Sequence, residues 1–189
     1  MKLDYKVILA SKSPRRQQLL SDMGVTFETK LMEVDEVYPS TLPASEVAEF
    51  LANLKAEPFM DTIADDELVI TSDTVVCVDD EVLGKPADKA EAIEMLQKLS
   101  GKAHEVISGV CLSTADKQVS FSSSTVVYFK ELTDEEITYY VDNYKPFDKA
   151  GSYGIQEWIG YIGITSIEGS YFNVMGLPVQ KLYEVLSNF

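Results

Sequence analysis

The run Leu68-Val69-Ile70-Thr71-Ser72-Asp73-Thr74-Val75-Val76-Cys77-Val78 constrains the fold of this chain more than any other segment. Apolar residues occupy both its odd and its even positions, which is typical of a central strand buried on both faces. Strands of this kind belong to sheets that are covered by helices on both sides. The run therefore predicts a fold of the α/β class.

Asp73 interrupts this apolar run at its centre. Burying a carboxylate without a partner costs several kcal/mol, so a chain that keeps one usually pairs it, binds a metal with it or uses it in a reaction. The sequence leaves these three alternatives open at this point.

Strand and helix patterns alternate along the rest of the chain. Alternating or continuous apolar runs predict further strands at 7–9, 25–31, 106–112 and 119–129, the last two joined as a hairpin. Helical spacing predicts helices around 14–23, 47–54, 89–99, 134–144 and 179–186. No repeat or long linker divides the chain, so we expect one α/β domain over 1–189 with a mixed sheet.

The segment from Leu9 to Leu20, LASKSPRRQQLL, predicts a strand, a tight turn and a helix whose N-cap is Ser13. Hydroxyls, free backbone amides and the guanidinium groups of Arg15 and Arg16 suit an anion with several oxygens, such as a phosphate chain. A capped surface helix with solvated arginines explains this segment equally well.

The formal net charge of -15 argues against a nonspecific nucleic-acid binder and against a protein that binds anionic membranes. No apolar run approaches the ~18 residues of a membrane span, and the charged start of the chain does not resemble a signal peptide. Cys77 and Cys111 lie in apolar runs and are expected to be buried free thiols. We therefore expect a cytoplasmic protein.

Five cationic residues fall in predicted loops or at the edges of predicted elements: Arg15, Arg16, Lys55, Lys85 and Lys149. Taken alone, Lys55 would more simply extend its ammonium into water. Acidic residues accompany these cations at Glu33, Asp35, Glu36 and Asp73. Cations that gather phosphate oxygens, beside carboxylates that hold a divalent metal or orient water, are what hydrolysis of a phosphoanhydride requires.

Several other enzyme classes lack their motifs here. The chain has no GxxxxGK[ST] phosphate loop, no GxGxxG after the first strand and no GxSxG nucleophile motif. Its one histidine, His104, excludes sites built on histidine pairs and is expected to be structural. The residues by themselves therefore indicate an α/β enzyme that processes a nucleotide or phosphate.

Eight segments of the chain resemble the Maf, or septum-formation protein, family of nucleoside triphosphate pyrophosphatases. They are LASKSPRRQQLL, EVDE, FLANLKA, SDTVV, LGKP, HEVISGV, PFDKAGSYGIQ and GSYFNVMGLPV, in the order of the family and over nearly the whole chain. The resemblance implies a single α/β domain with an elongated mixed β-sheet flanked by helices, a central cleft and usually a homodimer.

The resemblance also implies an activity: hydrolysis between the α- and β-phosphates of a nucleoside triphosphate, with a divalent metal such as Mg, Mn or Co. Asp73 would accept a proton from water, and Glu33 and Asp73 would hold the metal. The residues that would bind substrate are Ser13, Arg15, Arg16, Lys55, Thr74, Lys85, Lys149 and Gln156.

Three positions indicate the subtype. Arg15, Thr74 and Gln156 are the residues carried by members similar to dTTP/UTP pyrophosphatases, whereas members similar to 7-methyl-GTP pyrophosphatases tend to carry Trp, Gln and Glu there. A glutamine amide both donates to and accepts from a uracil or thymine edge, whereas a carboxylate only accepts. A nucleotide-binding regulator of cell division or septum formation is the alternative, in which hydrolysis would be incidental.

Overall fold

The structure is a computed structural model that describes residues 3–189, and seven strands and seven α-helices lie within them. The strands are β1 (Lys6–Leu9), β2 (Phe27–Thr29), β3 (Glu67–Val78), β4 (Glu81–Leu83), β5 (Ala103–Ser113), β6 (Gln118–Phe129) and β7 (Ile164–Glu168). The α-helices are α1 (Pro14–Asp22), α2 (Ala44–Ala56), α3 (Lys89–Leu99), α4 (Asp134–Tyr144), α5 (Trp158–Gly163), α6 (Tyr171–Met175) and α7 (Val179–Ser187). Short 3₁₀ turns occupy Glu57–Phe59 and Ala150–Ser152.

The strands form one mixed sheet in the order β2-β1-β3-β5-β6-β7, and β4 pairs with β3. β1 is parallel to β2 and to β3, with Val7 opposite Leu68 and Leu9 opposite Ile70. β4 is antiparallel to β3, and β7 is antiparallel to β6. The prediction of an α/β fold with a mixed sheet is therefore confirmed.

The chain divides into two compact units. Unit 1 comprises the chain up to Thr74, Ser108–Ser123 and Gly176–Phe189, and unit 2 comprises Val75–Ile107 and Ser124–Met175. Consequently β3, β5 and β6 each contribute residues to both units. The division of β3 falls directly after Asp73 and Thr74, so both residues belong to unit 1.

Each unit has its own apolar clusters. In unit 2, α3 and α4 contribute Leu96, Leu99, Ile137 and Tyr140 to a large buried cluster. In unit 1, α2 packs so closely on β5 that a Cβ added at Gly109 would lie 2.2 Å from the carbonyl oxygen of Ala48. Only glycine allows this approach of helix to strand, and it fixes the position of α2.

Most element predictions agree with the structure. Ser13, Asp88 and Thr133 cap α1, α3 and α4, since each side chain accepts from the amide three residues on. The strand predicted at 25–31 is wrong in length, because β2 can pair only along the short β1. The helices α5 and α6 and the strands β4 and β7 were not predicted. No helix among residues 3–189 is long and apolar enough to span a membrane.

Candidate active site

The side chain of Arg16, a predicted substrate-binding residue of unit 1, donates three hydrogen bonds. Its Nε donates to the carbonyl of Gly176 at 2.8 Å, its Nη1 to the carbonyl of Ser72 at 3.0 Å and its Nη2 to Oγ1 of Thr74 at 2.9 Å. Loss of contact with water lowers the pKa of the guanidinium, and the charge of Asp73 acts in the opposite direction. Arg16 therefore joins the first turn of α1 to β3 and to the segment before α7, and the alternative of a solvated arginine is wrong for it.

Ser13 and Arg15 precede this arginine, Ser13 as the N-cap before α1 and Arg15 in its first turn. The hydroxyl of Ser13 accepts from the backbone amide of Arg16 at 3.4 Å, which makes it the N-cap of the helix. Arg15 is half-buried and is the residue directly after Pro14 in the same turn. The free amides of this turn lie at the start of α1 beside the residue that carries the bonded guanidinium, an arrangement that suits the anion hypothesis.

Thr74 lies at the end of the unit 1 part of β3. Its hydroxyl accepts from Arg16, lies 2.8 Å from the hydroxyl of Ser108 and is 3.4 Å from the carbonyl oxygen of Gly176. Ser108 is fully buried on β5. The hydroxyl groups of Thr74 and Ser108 thus hold the side chain of Arg16 at the end of the part of β3 that belongs to unit 1.

Asp73 forms an ion pair with Lys55. Oδ1 of Asp73 lies 3.2 Å from Nζ of Lys55, and Oε1 of Glu36 lies 3.0 Å from the same nitrogen. The side chains of Lys55 and Asp73 are 17% and 12% exposed, so the ammonium does not extend into water as the sequence favoured. The strand thus keeps its central carboxylate by pairing it with a cation from α2.

The donor set around Lys55 fits a hard divalent cation. Asp73 and Glu36 direct carboxylate oxygens at one positively charged group, and carboxylates are the ligands that Mg²⁺ and Mn²⁺ prefer. Among residues 3–189 no three His, Cys, Asp or Glu side chains cluster as a metal site. Sites with one or two carboxylates are usual where substrate phosphates complete the coordination.

Glu33 was predicted as a metal ligand, and it stays a prediction. It is exposed in the segment between β2 and α2, whereas Glu36 from the same acidic motif is the residue that reaches Lys55. The motif holds three acids within four positions and has no helical or strand period, so the sequence could not choose between them.

Lys149 is the buried cation of unit 2, with 8% of its surface exposed. Its Nζ lies 2.7 Å from Oδ1 of Asp148 and 3.1 Å from Oε1 of Glu157. Oε2 of Glu157 accepts a hydrogen bond from the hydroxyl of Tyr140, and that hydroxyl accepts from the amide of Gly154 at 3.0 Å. Burial and then the hydrogen bond to Glu157 raise the pKa of Tyr140, so the phenol stays protonated.

Lys85 is exposed after β4, and its neighbour Gly84 contacts the segment that carries Lys149. The amide of Gly151 donates to the carbonyl of Gly84 at 3.1 Å. Gly151 has a φ of 64°, and a Cβ there would lie 2.9 Å from the side chain of Val76. A glycine is thus needed for the segments of Lys85 and Lys149 to meet within unit 2.

Gln156 is half-buried in unit 2, and its Oε1 is buried without a hydrogen-bond partner among residues 3–189. An unsatisfied buried acceptor is costly, and such atoms are often completed by a ligand or by rearrangement. The predicted residues therefore form two groups. Unit 1 brings together Ser13, Arg16, Lys55, Asp73 and Thr74, whereas unit 2 contains Lys85, Lys149 and Gln156.

The comparison with protein families decides the relationship that these residues suggest. A family model described as Maf-like protein matches residues 6–189. The chain belongs to the Maf family. The predicted resemblance is therefore confirmed over nearly its whole length.

Relatives in the Maf family are close. The dTTP/UTP pyrophosphatase of Parabacteroides distasonis is 55% identical over 186 residues, covering 98% of this chain and 96% of that protein. The dTTP/UTP pyrophosphatase of Phocaeicola vulgatus is 57% identical over 183 residues, covering 96% and 95%. Among solved structures, "The structure of the Staphylococcus aureus Ham1 protein" matches with a TM-score of 0.49 and 14% identity, over 66% of this chain and 71% of that one.

Proposed function

We propose that this protein hydrolyses the α–β phosphoanhydride of dTTP, UTP and related or modified pyrimidine triphosphates to a monophosphate and pyrophosphate. The observation that carries the proposal is the position of Asp73, a shielded carboxylate fixed by Lys55 beside the arginine-bearing end of α1. Relatives more than half identical over nearly the full chain are named dTTP/UTP pyrophosphatases, which supports the same activity here.

Asp73 is the residue that we propose to activate water. Its Oδ1 is paired with Lys55, and no partner of Oδ2 lies among the described side chains. A carboxylate whose orientation is fixed through one oxygen can take a proton from water through the other. The water would then attack phosphorus in line with the pyrophosphate leaving group.

The cations would bind the phosphate chain. In unit 1 the amides at the start of α1 and the side chains of Arg15 and Arg16 suit its oxygens. In unit 2 we propose the same role for Lys85 and Lys149, which the resemblance assigns to phosphate. Neutralising charge that develops on phosphate oxygens is the main contribution a protein makes to this reaction.

A divalent cation would be held by Asp73 and Glu36, with Glu33 as the acid that the resemblance implied. Bound there, Mg²⁺, Mn²⁺ or Co²⁺ would neutralise phosphate charge and lower the pKa of water. Pyrophosphatases of this kind generally need such a metal, and the two carboxylates on Lys55 are suitable donors.

Base selection is proposed for Gln156, and the resemblance also implies a part in it for Arg15 and Thr74. The buried Oε1 of Gln156 needs a donor, and the N3–H of uracil or thymine is one. The side chain would have to turn toward the base, and its Nε2 would then donate to a base carbonyl.

The deciding experiment is pyrophosphate release from a panel of triphosphates with Mg²⁺ or Mn²⁺. We expect dTTP, UTP and 5-methyl-UTP to be preferred over dCTP, GTP, 7-methyl-GTP and ITP. Asp73→Asn should abolish turnover while dUTP binding persists, and Asp61→Asn, at an exposed position, is the matched control. A folded wild-type protein that releases pyrophosphate from none of these would contradict the proposal.

The nucleotide-binding regulator is not favoured, because a sensor needs the cations but not a carboxylate positioned as Asp73 is. We further propose that the enzyme acts as a homodimer in the cytoplasm, on a free nucleotide rather than on nucleic acid or a membrane. No disulfide joins Cys77 and Cys111, which suits a reducing compartment. Light scattering of the purified protein tests the dimer.

A further inference from the structure

Gln156 lies on a four-residue turn, residues 154–157, whose two ends are bonded to each other. The amide of Glu157 donates to the carbonyl of Gly154 at 3.0 Å, so Ile155 and Gln156 are the two central residues of the turn. Ile155 is buried and Gln156 is half-buried. The direction in which the Gln156 side chain leaves the backbone is therefore set by the conformation of the 154–157 turn.

The hydroxyl of Tyr140, from α4, links the same two ends a second time. It accepts from the backbone amide of Gly154 at 3.0 Å and donates to Oε2 of Glu157. Tyr140 has no exposed surface, and burial raises the pKa of its phenol, so the hydroxyl keeps the proton that it donates. Together with the backbone bond between Gly154 and Glu157, these two bonds close a ring around the turn.

The bond from Tyr140 to Glu157 is of the strong kind, because its acceptor is a shielded carboxylate. The side chain of Glu157 is 20% exposed, and its Oε1 lies 3.1 Å from Nζ of Lys149. This cation compensates the charge of the carboxylate where it is shielded from water. A hydrogen bond to an ionised acceptor is roughly twice as strong as one between neutral groups. The hydroxyl of Tyr140 is therefore a firm anchor for the end of the turn at Glu157.

Close packing transmits the position of the turn to the side chain of Gln156. A Cβ added at Gly154 would lie 3.1 Å from Nε2 of Gln156 and 2.9 Å from the carboxyl carbon of Glu157, so both side chains pack against Gly154. A Cβ added at Gly160, in α5, would overlap the carbonyl oxygen of Ile155. Oε1 of Gln156 has no hydrogen-bond partner among residues 3–189, so the amide depends on this packing for its position.

We propose that Tyr140 is a positioning residue for base selection, whose hydroxyl fixes the 154–157 turn and thereby the reach of Gln156 to a uracil or thymine edge. This inference rests on the proposed function, in which Gln156 binds the base. A hydrogen-bonding group selects among substrates only while it is held in place, and a small displacement weakens that selection. Cytosine is the most sensitive comparison, because it has the size of uracil but an acceptor at N3 in place of the N3–H donor.

The test is the ratio of kcat/KM for dTTP to kcat/KM for dCTP in wild type, Tyr140→Phe and Gln156→Ala. Tyr140→Phe should lower this ratio about three- to tenfold, because the turn loses two of the three bonds in its ring. Gln156→Ala should lower the ratio at least as far. An effect that reaches the phosphate chain through Lys149 changes both substrates alike and cancels in the ratio.

The matched control is Tyr153→Phe, which removes another buried hydroxyl of unit 2. The hydroxyl of Tyr153 lies 2.7 Å from Nε2 of His104 and takes no part in the ring. Its loss should lower the free energy of unfolding but leave the ratio within about twofold of wild type. If Tyr140→Phe fails to fold, Glu157→Ala decides in its place, because it breaks the same ring. An unchanged ratio in the deciding variant, or an equal fall in Tyr153→Phe, would overturn the inference.

Calorimetric titration with dTMP and with dCMP separates this inference from the proposed function. Wild type should bind dTMP more tightly than dCMP, and Tyr140→Phe should reduce that difference. If wild type hydrolyses no triphosphate, the proposed function fails, and the two affinities still decide the role of Tyr140. Equal binding of both nucleotides by such a wild type overturns the inference as well. If wild type hydrolyses dTTP in preference to dCTP and Tyr140→Phe does so equally, the inference alone fails.

Discussion

The guanidinium of Arg16 donates from Nη2 to the hydroxyl of Thr74 at 2.9 Å, across 58 residues of sequence. A guanidinium only donates, so the hydroxyl hydrogen of Thr74 must point to Ser108 or to the carbonyl of Gly176. That hydroxyl has no donor left for a nucleotide base. We therefore propose that Thr74 acts on catalysis through the position of Arg16 and not through a contact with the base.

Thr74→Val should lower kcat/KM for every triphosphate by a similar factor, about tenfold, because Arg16 loses an acceptor while the base contacts are untouched. Thr74→Ser keeps the hydroxyl and is the control. The measurement is kcat/KM for dTTP, UTP and GTP in the three proteins. A change limited to the ratio between pyrimidines and purines would show instead that Thr74 touches the base.

Arg16→Lys should destabilise the protein by about 2 kcal/mol or more, because an ammonium cannot make the three bonds that the planar guanidinium makes. The free energy of unfolding in urea measures this loss. Lys12→Gln, at an exposed position in the same turn, should stay within about 0.5 kcal/mol of wild type. If Arg16→Lys and wild type had equal free energies of unfolding, the three hydrogen bonds of the guanidinium would make no net contribution to stability.

Glu36→Gln should weaken Mn²⁺ binding about tenfold, since it removes one of the two carboxylates that converge on Lys55. Glu33→Gln should change the affinity less, because Glu33 is exposed and Glu36 is the acid found at Lys55. Titration of each protein with Mn²⁺ alone gives the comparison. A larger loss in Glu33→Gln would restore Glu33 as the principal ligand of the motif.

His104 should make stability depend on pH. Burial lowers its pKa to about 4, and it is 3% exposed between Phe129 and Tyr153. In the unfolded chain its pKa is about 6.5, so below that value the unfolded state binds a proton that the folded state refuses. The contribution of the neutral His104 side chain to the free energy of unfolding is therefore complete above the pKa of the unfolded chain. It is lost as the pH falls toward the pKa of the folded protein.

The expected loss from His104 is about 2 kcal/mol between pH values of about 7.5 and about 5. Urea unfolding of wild type and of His104→Gln at both pH values isolates the loss that is due to His104. Only the wild-type protein contains the imidazole whose protonation causes this loss. The stability difference between the two proteins should shrink on acidification. A constant difference would mean that the buried imidazole accepts a proton without cost.

Local chemistry explains why much of the fold was predictable. The caps at Ser13, Asp88 and Thr133 are bonds between residues three apart, so the sequence displays them directly. The 115–117 turn between β5 and β6 is equally local. The structure of the segment 158–168 could not be predicted, because Gly160 and Gly163 interrupt its apolar pattern. The segment forms a short helix followed by a strand.

The candidate site was predictable in its residue types but not in its pairings. Asp73 stood out because a carboxylate in an apolar strand needs a partner, yet nothing near it in sequence identified Lys55. Ser108 carries no signal at all, because a serine in a strand is ordinary. The bond of Glu157 to Tyr140 could not be predicted, because it depends on how α4 packs.

The bond from Arg16 to the carbonyl of Gly176 spans 160 residues, and it has a consequence for biosynthesis. The ribosome makes the glycine 160 residues after the arginine, so the guanidinium of Arg16 lacks this acceptor until that length of chain has been made. A nascent chain that stops before Gly176 cannot form this bond. A product truncated before Gly176 would therefore leave the Arg16 side chain without one of the three bonds that hold it.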